Sequence, residues 1–92
     1  MKILNNIFLG KKILIYGLGK SGISSYSFLK NRSKVYLFDD NHKLKLKLNQ
    51  KIISLKEIQK INFDIIVISP GIDITNCKLS KFLKKNFQKI HT

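Results

Sequence analysis

The chain has 92 residues and a formal net charge of +13, from 18 Lys and Arg against 5 Asp and Glu. Hydrophobic residues make up 43% of it, which argues against disorder, and so short a chain forms at most one domain around one small core. No apolar stretch approaches the roughly 20 residues of a membrane-spanning helix, and the single cysteine excludes a disulfide within the chain. We therefore expect a cytoplasmic protein with no membrane partner.

The predicted secondary structure alternates between strands and helices. The expected elements are a strand at Lys12–Tyr16, a helix at about 21–31, strands at Lys34–Phe38 and near 51–53, a helix from Ser54 to Lys60 or Ile61, a strand at 64–69, a helix after Asn76 and the opening of a strand at 89–92. This order predicts an α/β fold, a Rossmann-like open parallel sheet of about five strands with helices on both faces. Its last strand would be truncated at its first residues, so we expect a fragment of a longer protein.

Local patterns refine three of these segments. Ser54 and Glu57 have the spacing of a capping box at a helix start. Asn76 is predicted to cap the last helix, whose apolar side would face the sheet. The residues of that side are Leu79, Phe82, Leu83 and Phe87. The alternation of lysine and leucine at 43–48 is interpreted as a loop or a short helix.

The glycine-rich turn after the first strand is the most informative motif. Gly17, Gly19 and Gly22 have the G-x-G-x-x-G spacing, between an apolar strand and the start of a helix. Glycine lets such a turn tighten, while free amide N–H groups and the helix dipole favour an anion. The motif therefore predicts a phosphate-binding corner.

Two further polar loops follow predicted strands. Asp39 comes directly after the second strand and 17 residues after Gly22, close to the roughly 20-residue spacing of a carboxylate that reads ribose or base in a nucleotide-binding unit. Ser69, Pro70 and Gly71 end a continuous apolar strand. With right-handed crossovers, these two strands lie on opposite sides of the first. We expect the three loops to converge on one crevice, with phosphates at the glycines and the nucleoside between the other two loops.

Two other functions stay open from these residues. The same glycines suit an NAD(P)-binding Rossmann module of an oxidoreductase or regulatory protein, with Asp39 on the adenosine ribose. The net charge of +13 suggests nucleic-acid binding as a second alternative function. Against it, the lysines are scattered, Arg32 is the one arginine and the sequence contains no motif of basic and aromatic residues. We interpret the lysines as filling solvated positions and expect no specific nucleic-acid partner.

With these loops assembled, essentially the whole chain resembles the N-terminal, UDP-substrate-binding domain of the Mur ligase family, in the branch that adds D-glutamate. The resemblance lies in the glycine turn, the acid after the second strand and the Ser-Pro-Gly-Ile turn at 69–72, which generic dinucleotide-binding domains do not usually carry. It implies that residues 1–92 bind the UDP part of UDP-N-acetylmuramoyl-L-alanine. The implied UDP-binding residues are Gly17, Gly19, Lys20, Ser21 and Gly22 at the diphosphate, Asp39, Asp40 and Asn41 near the uridine, and Ser69, Pro70 and Gly71 on its other side.

The resemblance also implies an ATP-dependent reaction in peptidoglycan synthesis and cell wall biogenesis. In this family a substrate carboxylate becomes an acyl phosphate, which the amine of D-glutamate attacks to form an amide. ATP, magnesium, the central ATPase domain and the C-terminal domain would belong to the full-length ligase, beyond Thr92. We expect this chain to hold no cofactor, metal or catalytic residue and to be inactive alone, with the missing ligase domains as partners in cis or in trans.

Overall fold

The computed structural model describes residues 9–41 and 51–91, in which strands and helices alternate as expected. In chain order the elements are β1 (Lys12–Tyr16), α1 (Lys20–Leu29), β2 (Lys34–Phe38), α2 (Leu55–Lys60), β3 (Ile65–Ile68), α3 (Ser80–Lys85), a 3-10 helix (Phe87–Lys89) and β4 (Ile90–His91). The bounds of β1 and β2 agree with the predicted ones. The predicted loop or short helix at 43–48 lies outside the described residues.

The strands form one parallel sheet in the order β2-β1-β3-β4. β1 pairs with β2 on one side and with β3 on the other, which confirms the predicted placement of the two crossovers. The predicted count of five strands is not confirmed, because the strand expected near 51–53 is reduced to one parallel bridge between Ile52 and Leu37. Ile53 N–H still donates to Leu37 O at 2.9 Å, but the next residue, Ser54, caps α2, so the chain leaves the sheet there.

Helices cover both faces of the sheet, and β1 is buried between them. The last four residues of β1 are fully buried, as expected for a central parallel strand. Ile13 and Ile15 pack with Tyr26 and Leu29 of α1, whereas the alternate residues of β1 pack on the opposite face. Buried residues from α2, α3 and the adjoining segments complete that second cluster: Ile58, Phe63, Leu79 and Leu83. Since the helices lie against the faces, the loops at the carboxyl ends of the strands meet at one edge.

Helix α2 begins as predicted. Ser54 Oγ accepts from Glu57 N–H, and Glu57 Oε1 accepts from Ser54 N–H, both at 3.2 Å. The two bonds complete a capping box. The bond from Ser54 N–H, followed by the charge of Lys51, lowers the pKa of the Glu57 carboxyl below its ordinary value.

The prediction that Asn76 caps the last helix is wrong. Helix α3 begins at Ser80, and Asn76 N–H donates instead to Asp73 O at 3.1 Å. The Asp73 carboxylate accepts bonds from both the N–H and the hydroxyl of Thr75, which stabilises a turn that takes up Asn76. The apolar side of the helix is also shorter than predicted, because Phe87 lies in the 3-10 helix and is 69% exposed.

Candidate functional site

Gly17 shapes the turn between β1 and α1. Its φ of +95° lies in the left-handed region that favours glycine, and a Cβ there would lie 2.8 Å from the Cβ of Ser69. Gly17 N–H donates to Phe38 O at 2.9 Å, and Gly17 O accepts from Ser69 Oγ at 2.9 Å. This residue therefore joins the end of β1 to the ends of both neighbouring strands.

Gly22 and Gly19 contribute to the turn in different ways. A Cβ on Gly22 would lie 1.9 Å from the carbonyl oxygen of Gly17, so only glycine lets the first turn of α1 approach this closely. A Cβ on Gly19 would meet no atom within 4 Å. Gly22 is thus required by packing, whereas Gly19 leaves open space in front of the helix.

The N-terminus of α1 is open to an anion. Gly19 is the N-cap residue of α1 and forms no side-chain capping bond, and the first turn of the helix contains no acidic residue. The amides of a first helical turn have no partner within the helix and carry the positive end of its dipole. Lys20 and Ser21 lie in this turn and are exposed. Such an arrangement can bind a phosphate group.

Asp39 lies beside the glycine turn, as its spacing predicts. Its Oδ2 accepts from Leu18 N–H at 2.7 Å, and its Oδ1 accepts from Asn41 N–H at 2.8 Å. Each carboxylate oxygen has two lone pairs, so the half-buried group can still accept a hydrogen bond from a ligand. Asp39 therefore both fastens the loop after β2 and remains chemically able to bind.

Ser69, Pro70 and Gly71 form the third loop at this edge. Ser69 N–H donates to Tyr16 O at 3.0 Å, and Ser69 O accepts from Ile72 N–H at 3.1 Å. The second bond closes a turn with Pro70 in its second position, where the fixed φ of proline fits. Pro70 and Gly71 are exposed. The structure thus brings the three predicted loops together, while their binding of a ligand stays a prediction.

Sequence reasoning missed two residues of this edge, Tyr16 and Lys78. The fully buried Tyr16 donates its hydroxyl hydrogen to Asp40 Oδ1 at 2.5 Å. Burial, and then this bond, raise the pKa of Tyr16 far above its usual range, so the hydroxyl stays protonated. Lys78 Nζ donates to the carbonyl oxygen of Asp40 at 2.7 Å. Tyr16 could have been identified from the sequence, because it places a hydroxyl at the end of an otherwise aliphatic strand. No feature of the sequence distinguishes Lys78 from the other lysines.

A cavity of about 470 Å³ lies beside Asp39. Phe38 and Lys78 line it together with residues between 51 and 57, and its volume is within the usual range for small-molecule sites. A larger groove of about 690 Å³ between α2 and α3 contains no residue of the three loops. We place the candidate site at the three loops because the open start of α1 and the Asp39 carboxylate lie together there.

Neither a metal cluster nor a membrane span is found among residues 9–41 and 51–91. In these ranges no three His, Cys, Asp or Glu side chains are grouped as metal ligands would be. No helix described there is long and apolar enough to cross a membrane.

Three similar proteins carry the name UDP-N-acetylmuramoylalanine--D-glutamate ligase. The protein of Caldicellulosiruptor saccharolyticus is 34% identical over 93 residues, covering 88% of this chain and 20% of the relative. That of Rickettsia conorii is 41% identical over 71 residues, covering 72% and 14%. That of Buchnera aphidicola is 39% identical over 72 residues, covering 71% and 16%. The chain therefore spans about a fifth or less of the length of these curated relatives.

No solved structure matches the chain significantly. The sequence model of one family, described as Mur ligase MurD-like, N-terminal domain, matches residues 11–91. That match covers most of the chain, including all three loops of the candidate site. The chain belongs to the family of MurD-like Mur ligase N-terminal domains.

Proposed function

We propose that this chain binds the UDP part of UDP-N-acetylmuramoyl-L-alanine. It would do so as the N-terminal domain, residues 1–92, of an ATP-dependent ligase that adds D-glutamate in peptidoglycan synthesis. The observation that carries the proposal is the uncapped start of α1 in the glycine turn, bordered by Asp39 and by Ser69. The relatives support the substrate, since their name contains both UDP-N-acetylmuramoylalanine and D-glutamate.

The diphosphate would lie at the start of α1. The first-turn amides and the helix dipole stabilise negative oxygens, and Lys20 adds a positive charge in the same turn. Ser21 supplies a hydroxyl donor, and the open space at Gly19 lets a phosphate approach the backbone closely.

The uridine would lie between the loop after β2 and the Ser-Pro-Gly turn. Asp39 can accept a hydrogen bond from a ribose hydroxyl or from the uracil N–H, and Asp40 and Asn41 adjoin it. Pro70 and Gly71 would form the opposite wall. The cavity of about 470 Å³ lies on the other side of Asp39, toward residues 51–57.

The chain would bind substrate without catalysing the ligation. ATP, magnesium and the catalytic residues would be held by further ligase domains, joined in cis or acting in trans in the cytoplasm. Purified chain mixed with substrate, ATP, magnesium and D-glutamate should release no inorganic phosphate above a protein-free control. Sustained release would contradict this part of the proposal.

The sheet would also be a variant of the five-strand Rossmann-like arrangement. With Ile52 counted as the remnant of a strand beside β2, the spatial order follows the first five strands of that fold. The crevice between the two neighbours of β1 is then the place where such sheets bind nucleotides.

Isothermal titration calorimetry tests the proposal directly. We would titrate the chain with UDP-N-acetylmuramoyl-L-alanine, NAD and NADP at about 0.15 M salt, where a Debye length of about 8 Å weakens nonspecific attraction to lysines. We expect binding of the UDP compound and none of the dinucleotides. Preference for a dinucleotide would instead make the chain an NAD(P)-binding module of an oxidoreductase or regulatory protein.

A pair of variants tests where the diphosphate binds. Ser21→Asp places a negative charge in the first turn of α1, and Ser24→Asp makes the same change at an exposed position one turn later. We expect Ser21→Asp to weaken UDP binding at least about tenfold through like-charge repulsion, and Ser24→Asp to have a much smaller effect. Equal effects of the two would place the diphosphate away from this helix start.

A further inference from the structure

Residues 39–41, which follow β2, are held by hydrogen bonds from two residues outside the sequence motifs. Tyr16 of β1 holds the carboxylate of Asp40, and Lys78, just before α3, holds its carbonyl oxygen. We propose that Tyr16 and Lys78 are positioning residues for nucleoside recognition, which keep residues 39–41 in the geometry that contacts the uridine. The inference rests on the proposed function and adds to it the two residues that make the uridine side of the site rigid.

Tyr16 fixes the side chain of Asp40 from within the core. The Tyr16 side chain is fully buried, so its hydroxyl must bond within the protein to avoid the cost of an unsatisfied polar group. Its bond of 2.5 Å to Asp40 Oδ1 meets that need. Because the ring is packed at the end of the central strand, the position of the hydroxyl, and so of Asp40, is set by the core.

Lys78 fixes the backbone of the same residue from the surface. Its exposed side chain crosses from the loop before α3 to Asp40 O, at 2.7 Å, and lines the cavity beside Asp39. Asp39 itself is held by the amides of Leu18 and Asn41. Residues 39–41 are thus held by hydrogen bonds from the buried Tyr16, from the glycine turn and from Lys78 before α3.

This fastening matters for binding more than for folding. The fold is held together by the sheet and by two apolar clusters. Lys78 belongs to neither cluster, and Tyr16 contributes its ring, not its hydroxyl, to one of them. Loss of either bond would leave those clusters intact and would loosen the loop. Binding groups must be held within about 0.5 Å of their working geometry, so a looser loop binds its ligand less tightly.

The test compares a ligand that contains uridine with one that does not. UDP and inorganic pyrophosphate are titrated into the wild-type chain and into Tyr16→Phe, Lys78→Met and Lys78→Arg. We expect Tyr16→Phe and Lys78→Met to weaken UDP binding about tenfold, the scale of one charge-assisted hydrogen bond, and to change pyrophosphate binding little. Lys78→Arg keeps a donor and should retain most of the UDP affinity. Lys81→Met, which removes an exposed lysine of α3 outside the lining of the cavity beside Asp39, is the matched control and should behave as wild type.

The outcomes separate this inference from the proposed function. Failure of the wild-type chain to bind UDP overturns the proposed function, and the inference with it, before any variant is needed. Wild-type UDP affinity in Tyr16→Phe and Lys78→Met overturns the inference alone, as does an equal loss for UDP and pyrophosphate. Far-ultraviolet circular dichroism and thermal melting verify folding, and the three lysine variants decide the matter if Tyr16→Phe does not fold.

Discussion

Gly22 lies where the first turn of α1 meets the glycine turn, and its size decides whether the two can touch. Helix propensity favours alanine over glycine inside a helix by about 1 kcal/mol. The contact acts in the opposite direction, because an alanine Cβ would lie 1.9 Å from the carbonyl oxygen of Gly17. We expect Gly22→Ala to lower the free energy of unfolding by about 2 to 3 kcal/mol, as overpacking against backbone does. Urea unfolding followed by circular dichroism measures the change.

Gly19→Ala is the matched control for this prediction. Gly19 has a φ of −78° and open space around the position of a Cβ, so alanine fits there without strain. Its replacement should change the free energy of unfolding by less than about 1 kcal/mol. A Gly22→Ala variant as stable as the wild type would show that the turn can move away from the helix.

Asp39 and Tyr16 show which parts of the site the sequence can predict. The position of Asp39 follows from chain order, because a residue directly after a parallel strand lies at the carboxyl edge of the sheet. Its bond to Leu18 N–H does not follow, since that depends on the path of the turn in space. The bond between Tyr16 and Asp40 joins the last residue of β1 to the loop after β2, and it depends on the register of the two strands and on the path of that loop. Sequence spacing thus predicts where a residue lies, whereas its hydrogen-bond partners can be identified only in the structure.

At the scale of elements, apolar runs predict strands well and amphipathic stripes predict helix ends poorly. β1 and β2 have the predicted bounds because each is a short apolar run between turn residues. Asn76 does not cap α3 because the Asp73 side chain stabilises a turn that takes up Asn76, a local competition that periodicity does not detect. The strand expected near Ile52 is cut to one bridge because Ser54 begins a helix two residues later.

The capping box of α2 makes the stability of the fold depend on pH. The pKa of Glu57 is lowered from 4.5 in the folded chain, chiefly by the bond from Ser54 N–H. Its stabilising effect is therefore complete above that ordinary value and is lost as pH falls through the lowered pKa. Gln at this position keeps a capping side chain without the charge. We expect the wild type to be more stable than Glu57→Gln at neutral pH, by a difference that disappears in acid.

Urea unfolding of both chains at several pH values measures this difference. All other residues are the same in both chains, so their contributions cancel in the comparison. A difference that stays constant from neutral pH to well below 4.5 would show that the charge of Glu57 does not stabilise α2.

At the scale of the whole molecule, a net charge of +13 is concentrated in a small folded protein. The described part of the chain extends over 35 × 31 × 25 Å. At about 0.01 M salt the Debye length is about 30 Å, so most of its charges repel one another across the whole protein. At about 0.15 M the length falls to about 8 Å, and only neighbours interact. Folding brings these charges together, so their repulsion opposes the compact state most at low salt.

We therefore expect sodium chloride to stabilise the chain. Raising its concentration from about 0.01 M to about 0.15 M should raise Tm by at least about 4 °C, which corresponds to about 1 kcal/mol for a domain of this size. Thermal melting at neutral pH measures this, and an exchange of Lys84 and Lys85 for glutamine should reduce the dependence because both lysines are exposed and their loss lowers the net charge. A phosphate buffer is avoided, since an anion bound at the start of α1 would stabilise the fold by mass action. A Tm that does not change with sodium chloride would show that the lysines are spaced widely enough for solvent alone to screen them.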